Sequence, residues 1–131
     1  MSDPSSKCRV LVVDDDEAER AAVAGVLRDE GFDVVMAEDG EQALIALEHN
    51  APPSLVVLDL MMPGVNGWQV LEAMERTERL ADIPVIVLTA FATRAGLPVG
   101  CHVLHKPFDR AVLLDVASAL TLPTAGRVLA T

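Results

Sequence analysis

The stretch SLVVLD, residues 54–59, is apolar at four consecutive positions and then ends in an acid. A half-buried strand alternates apolar and polar side chains, so a short unbroken run of this kind reads as a strand covered on both faces. PVIVLT, residues 84–89, has the same character. Strands buried on both faces belong to parallel sheets with helices packed on either side. RVLVV (9–13), DVVMA (33–37) and CHVLH (101–105) bring the set to five.

Helical spacing fills the intervals between them. Ala22, Val23, Val26 and Leu27 form one stripe, and Gly31 supplies a stop, so the first helix is expected over roughly 17–30. Ala43, Leu44 and Leu47 mark a second helix. Val70, Leu71 and Met74 mark a third, with Asn66 as its N-cap, and Val112, Leu113, Val116 and Leu120 mark the last. The stretch AFATRAGLPVG (90–100) is different: Gly96, Pro98 and Gly100 leave room for barely one helical turn. The fourth helix is therefore expected to be short or distorted. The whole pattern is (βα) repeated five times, a doubly wound α/β domain.

With 131 residues and 51% apolar composition, the chain is sized for one domain with one buried core. A formal net charge of -10 and the lack of any basic cluster argue against direct contact with nucleic acid or an anionic membrane. The opening MSDPSSK has no leader pattern, and no apolar run approaches the ~20 residues of a spanning helix, so a cytoplasmic location is expected. Cys8 and Cys101 stand far apart, without metal or redox spacing, and read as reduced thiols. His49, His102 and His105 also lack ligand spacing.

In a parallel sheet all carboxyl ends of the strands lie on one edge, where such folds bind ligands. Here those ends carry Asp14, Asp15 and Asp16 after the first strand, Asp59 at the third and Thr89 at the fourth, while Lys106 follows the fifth. Crowded carboxylates repel, and one takes up a proton unless a cation compensates. An oxygen-rich cluster of this type suits Mg²⁺. Lys106, the only lysine outside the N-terminal segment, can balance charge or hold a phosphoryl oxygen. Each feature has a plainer reading by itself: the aspartates as a solvated strand end with a helix N-cap, Thr89 as a strand residue, Lys106 as a surface lysine. Their joint placement favours a site.

VLVVDDD (10–16), LDLMMPGVNG (58–67), LTA (88–90) and HKPF (105–108) together resemble the receiver domain of two-component response regulators, over about residues 9–120. The resemblance implies the flavodoxin-like strand order 2-1-3-4-5. It makes Asp59 the phosphoacceptor, Asp15 the direct Mg²⁺ ligand, Asp14 a ligand mainly through water, and the Met61 carbonyl a further ligand beside Asp59. Thr89 becomes the switch hydroxyl and Lys106 the cation that pairs with the phosphoryl group. The peptide bond before Pro107 is expected to be cis. Asp16 has no comparable role and is expected to begin the first helix. The phosphoryl group would come from a histidine kinase, a phosphotransfer protein or a small phosphodonor, and an undefined partner protein would read the result.

The sequence departs from that family in two places. Three residues before the lysine, where the family usually carries an aromatic, stands Val103, and the chain has no tyrosine. The span between Thr89 and Lys106 is short, which points to an output surface on the first helix, the last helix or the C-terminal tail. Met61 and Phe91, each two positions beyond a site residue, are expected to limit water access to the phosphoryl group. The domain is expected over 9–120, with a flexible segment at 1–8 and a tail at 121–131. Two other readings compete: a phosphatase of the haloacid dehalogenase type, with Asp14 as nucleophile and Asp16 as acid/base, and a receiver-like scaffold that binds without phosphorylation.

Overall fold

The computed structural model describes residues 8–90, 97 and 100–121. Its elements run β1 (Arg9–Val13), α1 (Glu17–Asp29), β2 (Asp33–Ala37), α2 (Gly40–His49), β3 (Leu55–Asp59), α3 (Gly67–Arg76), β4 (Val85–Thr89), β5 (His102–His105) and α4 (Arg110–Leu120). All strand pairs are parallel, and the sheet order is β2-β1-β3-β4-β5. The expected doubly wound, flavodoxin-like α/β fold is the one observed. The short fourth crossover lies at 91–96 and 98–99, outside the described residues, as do 1–7 and 122–131 of the two terminal segments.

The reading of β3 and β4 as strands covered on both faces holds at every residue, since all five positions of each are buried. Their side chains divide by the period of two. Leu11, Val13, Val56, Leu58, Val85 and Val87 face one core, shared with Ala43 and Leu47 of α2 and with Val70, Leu71 and Met74 of α3. Val10, Val12, Leu55, Val57, Ile86 and Leu88 face the other, shared with Val23, Ala24, Val26 and Leu27 of α1 and with Leu113 and Ala117 of α4.

Local chemistry sets the helix ends. Asn66 caps α3 by accepting from the Gln69 N–H, and the Gln69 side chain accepts from the Asn66 N–H, closing a capping box. At the end of α1, Phe32 N–H reaches the Leu27 carbonyl and Gly31 N–H the Arg28 carbonyl. That is a Schellman stop, with Gly31 at a φ of 97°.

The glycines that begin α2 and α3 have a different task. A Cβ on Gly40 would lie 2.1 Å from the Val65 carbonyl oxygen, and one on Gly67 would lie 2.7 Å from the Asp59 carbonyl oxygen and the Leu60 Cα. The first turns of both helices therefore press directly on the segment that follows Asp59, and Gly67 N–H donates to the Leu60 carbonyl at 3.0 Å. The strand order reverses between β1 and β3, so the crevice at their carboxyl ends is bounded by Asp14 and Asp59.

Candidate functional site

Asp14 follows the last residue of β1 and is 2% exposed, and Asp59 ends β3 at 6%. Two carboxylates this deep need partners. Asp14 Oδ1 accepts from the Asp16 N–H at 2.9 Å, and its own carbonyl accepts from the Arg20 guanidinium at 2.8 Å. Asp59 Oδ1 accepts from the Met61 N–H at 3.4 Å and from Lys106 Nζ at 3.1 Å. Asp15 is exposed at the mouth. Asp16 begins α1 as expected, its side chain accepting from the Glu19 N–H at 3.0 Å.

These groups line a cleft of about 490 Å³ together with Met61, Ala90 and Lys106. The Met61 side chain is half exposed there, and its proposed companion Phe91 lies outside the described residues. Thr89 is buried at the end of β4, one residue past the Cα partner of Asp59, and its carbonyl accepts from the Lys106 N–H at 2.8 Å. The residue after it enters the cleft lining. The Lys106–Pro107 peptide is cis.

Electrostatics follow from burial and crowding. Desolvation, with a hydrogen bond to the Glu19 side chain, pushes the Asp14 carboxyl up to about 7 from 3.8. Burial also raises Asp59, against the opposing pull of Lys106 and the Met61 N–H. For Lys106, burial alone would lower the ammonium. Its hydrogen bonds to Glu19 and Asp59 and the charges of Asp59 and Asp14 outweigh that effect and hold it above the ordinary lysine range.

Among the described residues, Asp14, Asp15 and Asp59 form a group whose ligand oxygens all lie within 4.8 Å of one another. Ligands of one octahedral Mg²⁺, at about 2.1 Å from the ion, stand roughly 3 to 4 Å apart. Three carboxylate oxygens with this spread, one of them at the solvent edge, therefore fit a Mg²⁺ that keeps several waters.

One residue of this cluster escaped the sequence reading. Glu19 Oε1 lies 2.5 Å from Lys106 Nζ, nearer than Asp59 Oδ1 at 3.1 Å or Asp14 Oδ2 at 3.6 Å. In sequence Glu19 is one of two acids in the first turn of a helix, where acids are favoured by the helix dipole alone. Its position does separate it from Glu17, since Glu19 stands three residues after the N-cap Asp16 and four before Val23, on the face of the apolar stripe.

A family model for the response regulator receiver domain matches residues 10–118. The DNA-binding dual master transcriptional regulator RpaA of Synechocystis is 40% identical over 117 residues, which cover 86% of this chain and 48% of that protein. Response regulator MprA of a Mycobacterium species is 40% identical over 122 residues, covering 89% and 52%. The chain thus spans about half the length of the curated relatives it matches. Among solved structures, the receiver domain of a Francisella response regulator superposes with a TM-score of 0.80 at 29% identity, covering 88% of this chain and 97% of that one. The chemotaxis protein CheY4 of Vibrio cholerae gives 0.78 at 26%, covering 87% and 98%. The matched residues contain every strand end that builds the acidic cleft, and the chain belongs to the response regulator receiver domain family.

Proposed function

We propose that this receiver domain is switched by a phosphoryl group accepted on Asp59 from a sensor histidine kinase or a phosphotransfer protein. The observation that carries the reading is the meeting of a buried Asp59 carboxylate with the Lys106 ammonium at 3.1 Å beside two further carboxylates. An Asp59 oxygen attacks phosphorus in line while the donor's leaving group departs on the opposite side. The barrier falls through positioning and neutralisation of the phosphoryl oxygens. In this reading Asp15 and Asp59 ligate Mg²⁺ directly, Asp14 does so chiefly through water, and Met61 offers its carbonyl. The ion, when bound, supplies positive charge to the phosphoryl oxygens. Lys106 pairs with one phosphoryl oxygen and the Thr89 hydroxyl turns toward another.

The product is an aspartyl phosphate that hydrolyses slowly, so the domain is a signalling module and not a turnover enzyme. Phosphorylation adds close to two negative charges beside Lys106 and Thr89 and shifts an existing conformational equilibrium. Residues 9–120 form the receiver unit, placed in the cytoplasm, with 1–8 and 121–131 as its flanks. An undefined partner protein reads the shift, through α1, α4 or the tail. RpaA is named as DNA-binding, but with a net charge of -10 this chain leaves any nucleic-acid contact to other polypeptide. Among the described residues, no helix is long and apolar enough to cross a membrane.

The phosphatase reading is weaker, because the Asp16 side chain is engaged in capping α1 and Asp59 is left without a task. Intact-mass measurement after incubation with Mg²⁺ and acetyl phosphate tests the proposal. A labile phosphoryl adduct on the native chain that is absent from Asp59→Asn is expected. An adduct retained in that variant, or rapid multiple turnover of a phosphate ester, would overturn it.

A further inference from the structure

Glu19 is fixed at the cleft by its backbone and by its neighbour in the helix. Its backbone N–H is tied to the Asp16 carboxylate at 3.0 Å, and the next residue, Arg20, clamps the Asp14 carbonyl at 2.8 Å. The first turn of α1 is thereby fastened to the end of β1, and the Glu19 side chain is delivered to Lys106 across 87 residues of sequence.

The resulting ion pair differs from the surface pairs of the same domain. Lys106 and Glu19 side chains are 17% and 29% exposed, whereas Arg110 and Asp29 are 57% and 67% exposed and Arg76 and Glu72 are 75% and 60%. Solvent screens the latter two and leaves them little energy. The Lys106–Glu19 contact is largely sheltered, and it is the shortest contact the ammonium makes.

We propose that Glu19 is a positioning residue acting through Lys106: its carboxylate holds the ammonium in the unphosphorylated domain and competes for it with the phosphoryl oxygens on Asp59. The proposal rests on the reading of Asp59 as the phosphoacceptor. A lysine ammonium has three N–H donors, and one is committed to Glu19 before any phosphoryl group arrives. An incoming phosphodonor brings further negative charge into a cleft where Glu19 already adds a carboxylate to the three metal-site aspartates. The domain therefore carries an internal restraint on its own phosphorylation. Glu19 withholds part of the cation that the reaction needs and repels the group that is to be transferred.

Glu19→Gln keeps the shape and removes the charge. Glu17→Gln, on the same helical turn, is the control for a general change in surface charge. With saturating Mg²⁺ and acetyl phosphate, the initial phosphorylation rate of Glu19→Gln is expected to rise about three- to tenfold, the range one charge at about 6 Å produces at an effective dielectric of about 80 to 40. Glu17→Gln is expected to stay within twofold of the native rate. The chain has only two lysines, Lys7 and Lys106, so ¹³C,¹⁵N-lysine labelling yields two side-chain signals, told apart by Lys7→Arg. The Lys106 signal is expected to move in unphosphorylated Glu19→Gln.

A Glu19→Gln rate within twofold of native, or below it, overturns the proposal whatever the lysine signal does. A faster rate with an unmoved Lys106 signal, or one matched by Glu17→Gln, also overturns it, because the effect would then be diffuse charge. If the native chain takes up no phosphoryl group, the reading of Asp59 fails and this proposal with it. An adduct on the native chain keeps the two failures distinct.

Discussion

Substituting alanine at Gly40, Gly67 and Gly25 separates the close approaches that shape the site from ordinary helix preference. A Cβ at Gly40 would meet the Val65 carbonyl oxygen at 2.1 Å, and one at Gly67 would meet the Asp59 oxygen and Leu60 Cα at 2.7 Å, where ordinary contact begins at 3.4 Å. All of these neighbours are backbone, so a helix or the 60–66 segment must retreat, by more than an ångström for Gly40 and by over half an ångström for Gly67. Overpacking of this kind costs about 1–3 kcal/mol and occasionally more. Gly40→Ala belongs at the upper end, about 3 kcal/mol, and Gly67→Ala in the lower half. Gly25, inside α1, has nothing within 4 Å of its Cβ position, so Gly25→Ala is expected to stabilise by about 0.5–1 kcal/mol through helix propensity. Urea unfolding followed by the fluorescence of Trp68, the only tryptophan, reads all three. With a slope of about 2 kcal/mol per molar, the midpoint of Gly40→Ala falls by about 1.5 M and that of Gly25→Ala rises by about 0.3 to 0.5 M. A Gly40→Ala midpoint equal to the native one, or a Gly25→Ala midpoint that falls with the other two, would refute the reasoning.

Two further outcomes follow from the cleft's electrostatics. Asp14 keeps its proton to about 7 in the fold and releases it near 3.8 when unfolded. Its contribution to stability is therefore complete at acid pH and is lost as the pH rises through about 7, at up to about 1.4 kcal/mol per pH unit. Urea titrations from pH 5 to 8 should show this decline without Mg²⁺ and its removal with millimolar Mg²⁺, and a flat metal-free profile would count against it. Lys106→Ala leaves Asp14, Asp59 and Glu19 facing one another without their shared cation. At pH 8 without metal this should cost roughly 3 kcal/mol, the lower bound for breaking a buried pair. At pH 5 the cost should be smaller, because burial raises Asp14 and Asp59 and Asp14 is protonated there, and an equal cost at both pH values would contradict the account.

The fold was legible because its signals are local. A strand buried on both faces leaves a short unbroken apolar run, and β3 and β4 differ from the sequence reading by one residue each, at Ser54 and Pro84. Asn66 and Gly31 announce helix ends through their own hydrogen-bonding and backbone chemistry. Strand ends on one edge also made the meeting of Asp14, Asp15, Asp59 and Lys106 foreseeable. Glu19 was missed because it sits in the first turn of α1 and not at a strand end, so the rule that gathers strand ends on one edge does not include it. The tight seats of Gly40 and Gly67 were equally hidden, since a first-turn glycine looks the same in sequence whether or not backbone lies against it.

The division of the core by the sheet has a further consequence. Alternate residues of the three central strands serve opposite chambers, so no side chain belongs to both. The sheet works as a partition between the two clusters. The rim is the exception. There α1, from one chamber, brings Glu19 and Arg20, while α2 and α3, from the other, press on the segment that follows Asp59. The acidic cleft is thus the place where elements from the two sides of the sheet meet, so a change of charge there adjoins both.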